Sequence, residues 1–440
     1  MDTNRPTLAA HALPVTEDAL FSKVAWRLLP ILFVSYVVAY IDRVNVGFAK
    51  LQMLGDLHFS AQVYGFGSGI FFVGFLLFEI PSNLLLYRFG ARAWLARIMI
   101  TWGLVSVLTL FVRTPMQFYA ARFLLGVAEA GFLPGVVYYL SQWFPPHRQG
   151  RVMALLITAA AAGGVIVGPL SGWIMDAFSN SATLRNWQWL FLLQGLPAMV
   201  VAYLLWRVLP DRPDTVEWLD ASEKAVLQSL VSGTQHHLPR KDKIAEVLRS
   251  ANVWWLALVL LALNLGIYAV IFWTPTIIRD AGITNLSHIG YLAALPYVAS
   301  AAAMLLLGRS SDFFGERRWH LALSCLGGAV GLVLTAFAAS TPLRIAGVTL
   351  ATAMFIGSTP LVWALGGNFM SGRAAATGYA LMNAIAALGG LFGPYAMGLA
   401  QDLSGSISIA VLAIAGCSVL GALCVLALPA EQHTAKNTTH

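Results

Sequence analysis

Two acid–base pairs stand where an apolar run would be expected to exclude them. The run Arg122-Phe123-Leu124-Leu125-Gly126-Val127-Ala128-Glu129-Ala130-Gly131 places a fixed cation and a carboxylate seven residues apart, and Asp42 and Arg43 adjoin in Tyr40-Ile41-Asp42-Arg43-Val44-Asn45. Seven residues is about two helical turns, so Arg122 and Glu129 share one face, roughly 10 Å apart along the axis. Asp42 and Arg43 diverge by about 100° and meet different neighbours. A charged side chain at membrane depth costs at least ~2.5–3.5 kcal/mol, so such groups need a purpose. One purpose is structural, an ion pair that locks helices together. The other is chemical. Arginine keeps its charge while a carboxylate can gain or lose a proton, so the set can handle an anion and a proton at one place.

The elements that must position these groups are membrane-length. The chain is 58% hydrophobic and 11% charged, whereas soluble domains carry about 25% charged residues. Apolar stretches of ~20 residues recur about twelve times. Their cores are 24–48, 62–86, 92–112, 116–140, 150–176, 187–208, 252–277, 288–308, 319–338, 343–367, 374–400 and 406–429. The expected organisation is a tail over 1–23, a six-helix half over 24–209, a polar linker over 210–251, a second half over 252–429 and a tail over 430–440. Within the linker, Asp214 followed by Glu217 predicts a capped helix over about 215–231. The opening twenty residues do not read as a secretory signal. Cys325, Cys417 and Cys424 lie in apolar segments without metal-ligand spacing, and no basic, aromatic-interleaved surface suggests nucleic acid.

Lys and Arg crowd one set of joints, including Arg88, Arg92, Arg148, Arg151, Arg212, Lys224, Arg240, Lys241, Lys243, Arg317, Arg318 and Arg373. The opposite set holds Lys50, Arg113, Arg185, Arg279 and Arg344. A roughly threefold bias places the first set, and both termini, in the cytoplasm. The halves also repeat at an offset of about 225 residues: Gly90 and Arg92 match Gly315 and Arg317, Arg148 matches Arg373, and Gly164-x-x-x-Gly168-Pro169 matches Gly389-x-x-x-Gly393-Pro394. The fold class that follows is an all-α polytopic membrane protein with twelve transmembrane helices in two pseudo-twofold halves. Parallel repeats of this kind bracket a midplane substrate site and rock around it. The offset takes Asp42, Arg43, Arg122 and Glu129 to Ile267, Tyr268, Gly347 and Met354. The charges therefore belong to one half, which favours function over scaffolding.

Gly308-Arg309-Ser310-Ser311-Asp312-Phe313-Phe314-Gly315-Glu316-Arg317 resembles the loop signature of the major facilitator superfamily. It implies a latch of Gly308, Asp312, Gly315 and Arg317, with Arg88 and Arg92 in the first-half copy, that holds one face closed. In that copy Tyr87 stands where the aspartate would be. Glu79, close by, reads more readily as an ion-pair partner than as a proton carrier. Tyr40-x-Asp42-Arg43-x-Asn45, Arg122-Phe123-x-x-Gly126-x-x-Glu129-Ala130-Gly131, Pro81-Ser82-Asn83-Leu84 and Trp143-Phe144-Pro145 with Arg148 resemble the anion:cation symporter family. That family includes bacterial carriers of tartrate, galactonate, phthalate and hydroxyphenylacetate. The resemblance implies that Asp42 and Glu129 relay protons, that Arg43 and Arg122 hold the substrate carboxylate, and that Tyr40, Trp363 and Asn383 touch substrate. Phe75 and Ala160 depart from the tyrosine and glutamine of sugar-acid carriers, which tilts the expectation towards a less hydroxylated or aromatic acid. Tyr268 and Asn264 are further polar candidates in the seventh span.

With both acids ionised the four charges cancel; with protons on them the site is positive and attracts an anion. Each binding event favours the other, and that reciprocity is coupling. His58, His147, His288 and His320 all lie at span ends or joints, which leaves carboxylates as the intramembrane proton carriers. The expectation is proton-coupled uptake of a small organic anion across a bacterial inner membrane by a monomer, with the proton as coupling ion and no metal or other cofactor. An organic anion exchanger is the alternative. No paired aspartates, Ser/His arrangement or metal cluster suggests an intramembrane enzyme.

Overall fold

A computed structural model describes residues 17–231, 249–370 and 372–429, with backbone alone at 372–376. The remainder of both tails, the basic run Arg240-Lys241-Asp242-Lys243 and the side chain of Arg373 fall outside the described residues. Among the described residues twelve helices are long and apolar enough to cross a membrane. In order they are Glu17–Leu57, Ala61–Phe89, Ala91–Phe111, Pro115–Ser141, Pro146–Ala177, Asn186–Val208, Ala251–Asp280, Leu286–Phe314, Arg318–Phe337, Thr341–Phe369, Thr377–Ser404 and Ser408–Leu426. Helices are what lipid permits, since each backbone N–H and C=O must be satisfied within the segment. Several helices begin on side-chain caps: Ser60 accepts from the Val63 amide, Thr114 and Gln117 cap reciprocally, and Asn285 accepts from the His288 amide.

Glycines set how closely the two halves approach. A Cβ on Gly65 would lie 2.4 Å from the Pro394 carbonyl oxygen, and one on Gly168 would lie 2.4 Å from that of Gly290. The second span thus lies backbone to backbone against the eleventh, and the fifth against the eighth, as small residues allow in lipid. These contacts fall in the part of each helix distant from the inter-half linker. We call that end the far side and the other the linker side. Hydrogen bonds between described residues of the two halves also lie there. Asp402 accepts from the Ala61 and Gln62 amides at 3.0 and 2.8 Å, Ser287 donates to Asp176 at 2.8 Å, and Gln62 donates to Tyr395 at 3.2 Å. Tyr64 donates to the Phe272 carbonyl at 2.8 Å, and Arg279 to that of Leu51 at 3.3 Å. The halves are therefore closed on the far side.

The linker departs from expectation. Its helix is Ala221–Val231, preceded by a short 3-10 turn at Pro213–Thr215. Both Asp214/Glu217 and Asp220/Glu223 fit the cap pattern, but the second pair forms the reciprocal box, with Asp220 accepting from the Glu223 amide at 2.7 Å and Glu223 from the Asp220 amide at 2.9 Å. The Ser222 hydroxyl, then the backbone amides, hold the Asp220 carboxyl below its usual range. Residues between the two pairs are taken up by packing instead: Val216 and Leu219 are buried, and Trp218 stacks on Trp143 at 6.0 Å. Lys23 then ties the first span to Glu223 at 2.8 Å. Lys50, assigned above to a joint, is instead inside the first span, because that helix continues to Leu57.

Candidate functional site

One of the two charged motifs sits where a membrane helix breaks. The fourth span is two helices, Pro115–Glu129 and Phe132–Ser141. The break runs through Ala130 and Gly131, whose φ of 84° is a left-handed value that glycine adopts freely. A side chain there would also meet the Ser82 hydroxyl at 2.5 Å. Glu129 thus ends a helix at its negative pole, where an ionised carboxylate needs a cation against it. Arg43 supplies it through a close ion pair from Nη2 to Glu129 Oε1. In the first span the segments Glu17–Val44 and Val46–Leu57 meet at Asn45, whose amide still donates to the Ile41 carbonyl at 3.0 Å. The Asn45 φ of −54° and ψ of −30° are helical, so the first span runs on past Asp42 and Arg43 to Leu57.

Each charge has its own surroundings. Asp42 is 3% exposed and accepts a short hydrogen bond from Ser106 of the third span and one from Asn45 at 3.3 Å. Arg43 is the more open member of its pair, 18% exposed at the side chain against 5% for Glu129, and its Nε has no hydrogen-bond partner. Arg122 is 1% exposed, and none of its three nitrogens has a partner. The Phe71 ring lies close to both guanidiniums, 5.5 Å from Arg43 and 5.4 Å from Arg122. Arg43 also faces Phe75 at 5.8 Å. Gly126 makes room for this, since a Cβ there would meet the Phe71 carbonyl oxygen at 2.0 Å.

The surrounding wall is aromatic and comes from both halves. Phe71 stacks on Phe75, Phe72 packs against Tyr268 at 4.4 Å, and Tyr40 meets Tyr297 edge-on at 6.0 Å. Tyr40, Phe75 and Tyr268 therefore join the aromatic wall of the charged cluster. Trp363 packs edge-on against Tyr379 at 5.6 Å, Asn383 is exposed on the eleventh span, and Asn264 lies against Gly389. These three have no described contact with the four charges. Ser106 and Phe71 were missed from sequence, and Asn45 was read only as part of a motif. The signal for Ser106 is a lone hydroxyl amid Leu104, Val105 and Val107, and for Phe71 it is the one-turn spacing to Phe75.

The described contacts of the latch residues lie within their own halves. Arg317 reaches Asp312 at 3.4 Å within its own segment, where Gly315 turns the helix end at φ 65°. Gly308 has open space beside it. Arg92 donates to the Trp206 carbonyl at 2.6 Å within the first half, and Arg88 lies over Phe89. Glu79 has no ion pair among the described residues, so its expected partner role is not met here.

Residues 32–394 match the family described as Major Facilitator Superfamily. The chain belongs to the major facilitator superfamily. This transporter is 45% identical over 415 residues, 94% of its length and 95% of the relative's, to a "putative metabolite transport protein NicT" of Pseudomonas putida. It is 41% identical over 413 residues, again 94% and 95%, to a "putative tartrate transporter" of Agrobacterium vitis. Its fold is shared with a bacterial homologue of the lysosomal transporter Spinster in an inward-facing, occupied conformation, at a TM-score of 0.76 and 16% identity over 92% of this chain and 96% of that one. The protein is thus a multi-pass membrane transporter rather than an enzyme.

Proposed function

We propose that this transporter takes up a small organic carboxylate together with protons, by alternating access, in the manner of the anion:cation symporters. The observation that carries the reading is Arg43, half-committed to Glu129 and half-open to the aromatic wall. Protonating Glu129 removes its claim on the guanidinium, and an incoming carboxylate takes its place with a charge-assisted, bidentate geometry. Neither exchange leaves a buried cation facing a neutral group, a condition that costs about 3–5 kcal/mol when one partner of a buried pair is lost. Arg122, held behind Phe71, keeps the region positive in every state, and Asp42 offsets it until it too takes a proton. The proton and the anion then help one another bind.

Phe75 and Tyr268 beside Arg43 suit a flat or sparsely hydroxylated acid, and the tartrate named for one relative fits the same carboxylate chemistry. On this reading the linker side and both termini face the cytoplasm of a bacterial cell, an orientation the Lys and Arg bias supports, and the monomer is the working unit. Purified protein in liposomes, given an inward proton gradient and labelled tartrate, galactonate, phthalate or 4-hydroxyphenylacetate, tests the reading. Accumulation that a protonophore collapses is expected. Accumulation that requires preloaded anion instead of a gradient would make the protein an exchanger.

A further inference from the structure

Lys50 is a basic side chain that the central mechanism does not use. It is 5% exposed, and its ammonium has no hydrogen-bond partner. Instead the nitrogen sits 2.9 Å from the centre of the Trp273 ring and 4.8 Å from that of Tyr64, and these two rings meet edge-on. The amine thus rests against aromatic surfaces without a hydrogen bond, and such surfaces attract a cation but do not replace the bonds it forms with water or an anion. The walls of this cage belong to different halves: Tyr64 lies on the second span and Trp273 on the seventh. Tyr64 donates across the seam to the Phe272 carbonyl, and Gly47, one turn before Lys50, lies under the same carbonyl. The cage therefore exists only while the far side is closed. When the halves part there, Trp273 leaves with its own half and Lys50 faces the opening.

Its position along the helix gives that exposure a use. Lys50 is seven residues from Arg43 and seven from Leu57, the far-side end of the span. Each interval is about two turns or roughly 10 Å, which sets Lys50 on much the same face as Arg43 and about midway between it and the far-side surface. We infer that Lys50 is an anion-capture residue of the far-side vestibule, exposed when that side opens, which draws a carboxylate towards Arg43 and is then sealed against Trp273 as the halves close. The carboxylate as occupant rests on the function proposed above; the capture of anions by Lys50 does not.

Two measurements on the full chain in liposomes separate these. In the first, Leu54→Cys, one turn further out on the Lys50 face, is placed in a background with Cys325, Cys417 and Cys424 changed to Ala. Impermeant anionic and cationic methanethiosulfonates of similar size are added on the far side. The anionic reagent should react faster with Lys50 present, and changing Lys50→Met should reduce the anion-to-cation rate ratio about tenfold, the scale of electrostatic focusing in a cleft. A ratio equal in both backgrounds, or absence of labelling, overturns the proposal. In the second, uptake of labelled tartrate, phthalate or 4-hydroxyphenylacetate is measured from the far side. Lys50→Met should raise KM about tenfold with the maximal rate within about threefold, and Lys50→Arg should restore KM. A fall in maximal rate at unchanged KM would mark a structural gate residue and overturn capture. Failure of the unmodified protein to carry any of the probes counts against the carboxylate reading, while the labelling ratio still decides the role of Lys50.

Discussion

The first and fourth spans differ from their repeat partners, the seventh and tenth, in a way that the shared fold does not require. Asp42 and Arg43 sit inside a helix that runs on to Leu57, whereas Glu129 precedes the break at Ala130 and Gly131. The partners Ala251–Asp280 and Thr341–Phe369 run unbroken for 30 and 29 residues, with Ile267, Tyr268, Gly347 and Met354 at the equivalent places. One half therefore holds all four ionisable groups, with Glu129 at a helix end where the backbone dipole acts on it. The other carries none of these charges and adds Tyr268 and Tyr297 to an aromatic wall that both halves build. On the function proposed above, coupling resides in one half while both halves move.

The largest break in that comparison is expected from Glu129→Gln. It should lower gradient-driven accumulation about 100-fold while anion counterflow persists, because Arg43 is then permanently free. Full accumulation by this variant against a pH gradient would place coupling elsewhere. Next in size, Arg122→Met should weaken carboxylate affinity about tenfold yet leave the melting temperature unchanged or raised, since it removes a buried cation without a partner. Calorimetric titration and thermal unfolding read the two effects separately, and a destabilised variant with normal affinity would make Arg122 structural.

A smaller effect concerns the far-side seam. Asp402→Ala removes the cap that the eleventh span gives the Ala61 and Gln62 amides, a loss of about 1 kcal/mol. About a fivefold shift towards far-side opening should follow, visible in distances between spin labels on the second and eleventh spans; an unchanged distribution would mean the cap does not hold the gate. The smallest effect is expected in the second half. Met354→Leu, at the place equivalent to Glu129, should leave proton coupling within about twofold, as volume-conserving apolar exchanges do. Loss of coupling there, measured as proton flux per anion, would undo the division of labour between halves.

Much of this was legible in the sequence because lipid imposes length, apolarity and a basic bias at the joints. The spans and the repeat follow from those constraints, and the four charges stand out against them. The break after Glu129 was less legible. Gly131 and Pro134 were visible, but a glycine in an apolar run marks close packing as readily as a left-handed turn, and the structure uses Gly126 for one and Gly131 for the other. The start of the linker helix was misplaced because two acid pairs fit one cap pattern, and packing of Val216, Trp218 and Leu219 on the first half selects Asp220. Lys50 was misassigned for a related reason. Counting charges at span ends treats every lysine as solvated, and an aromatic cage contributed by a helix more than 200 residues away leaves no local trace.

The central claim is that a proton on Glu129 and an anion on Arg43 favour one another. Carboxylate affinity measured by calorimetry across a pH series, in the unaltered transporter and in Glu129→Gln, tests it directly. Proton uptake should accompany binding in the unaltered protein, with affinity falling up to about tenfold per pH unit on the alkaline side, and both effects should shrink in the variant. Affinity independent of pH in the unaltered protein, or the same pH dependence in both, would contradict the account.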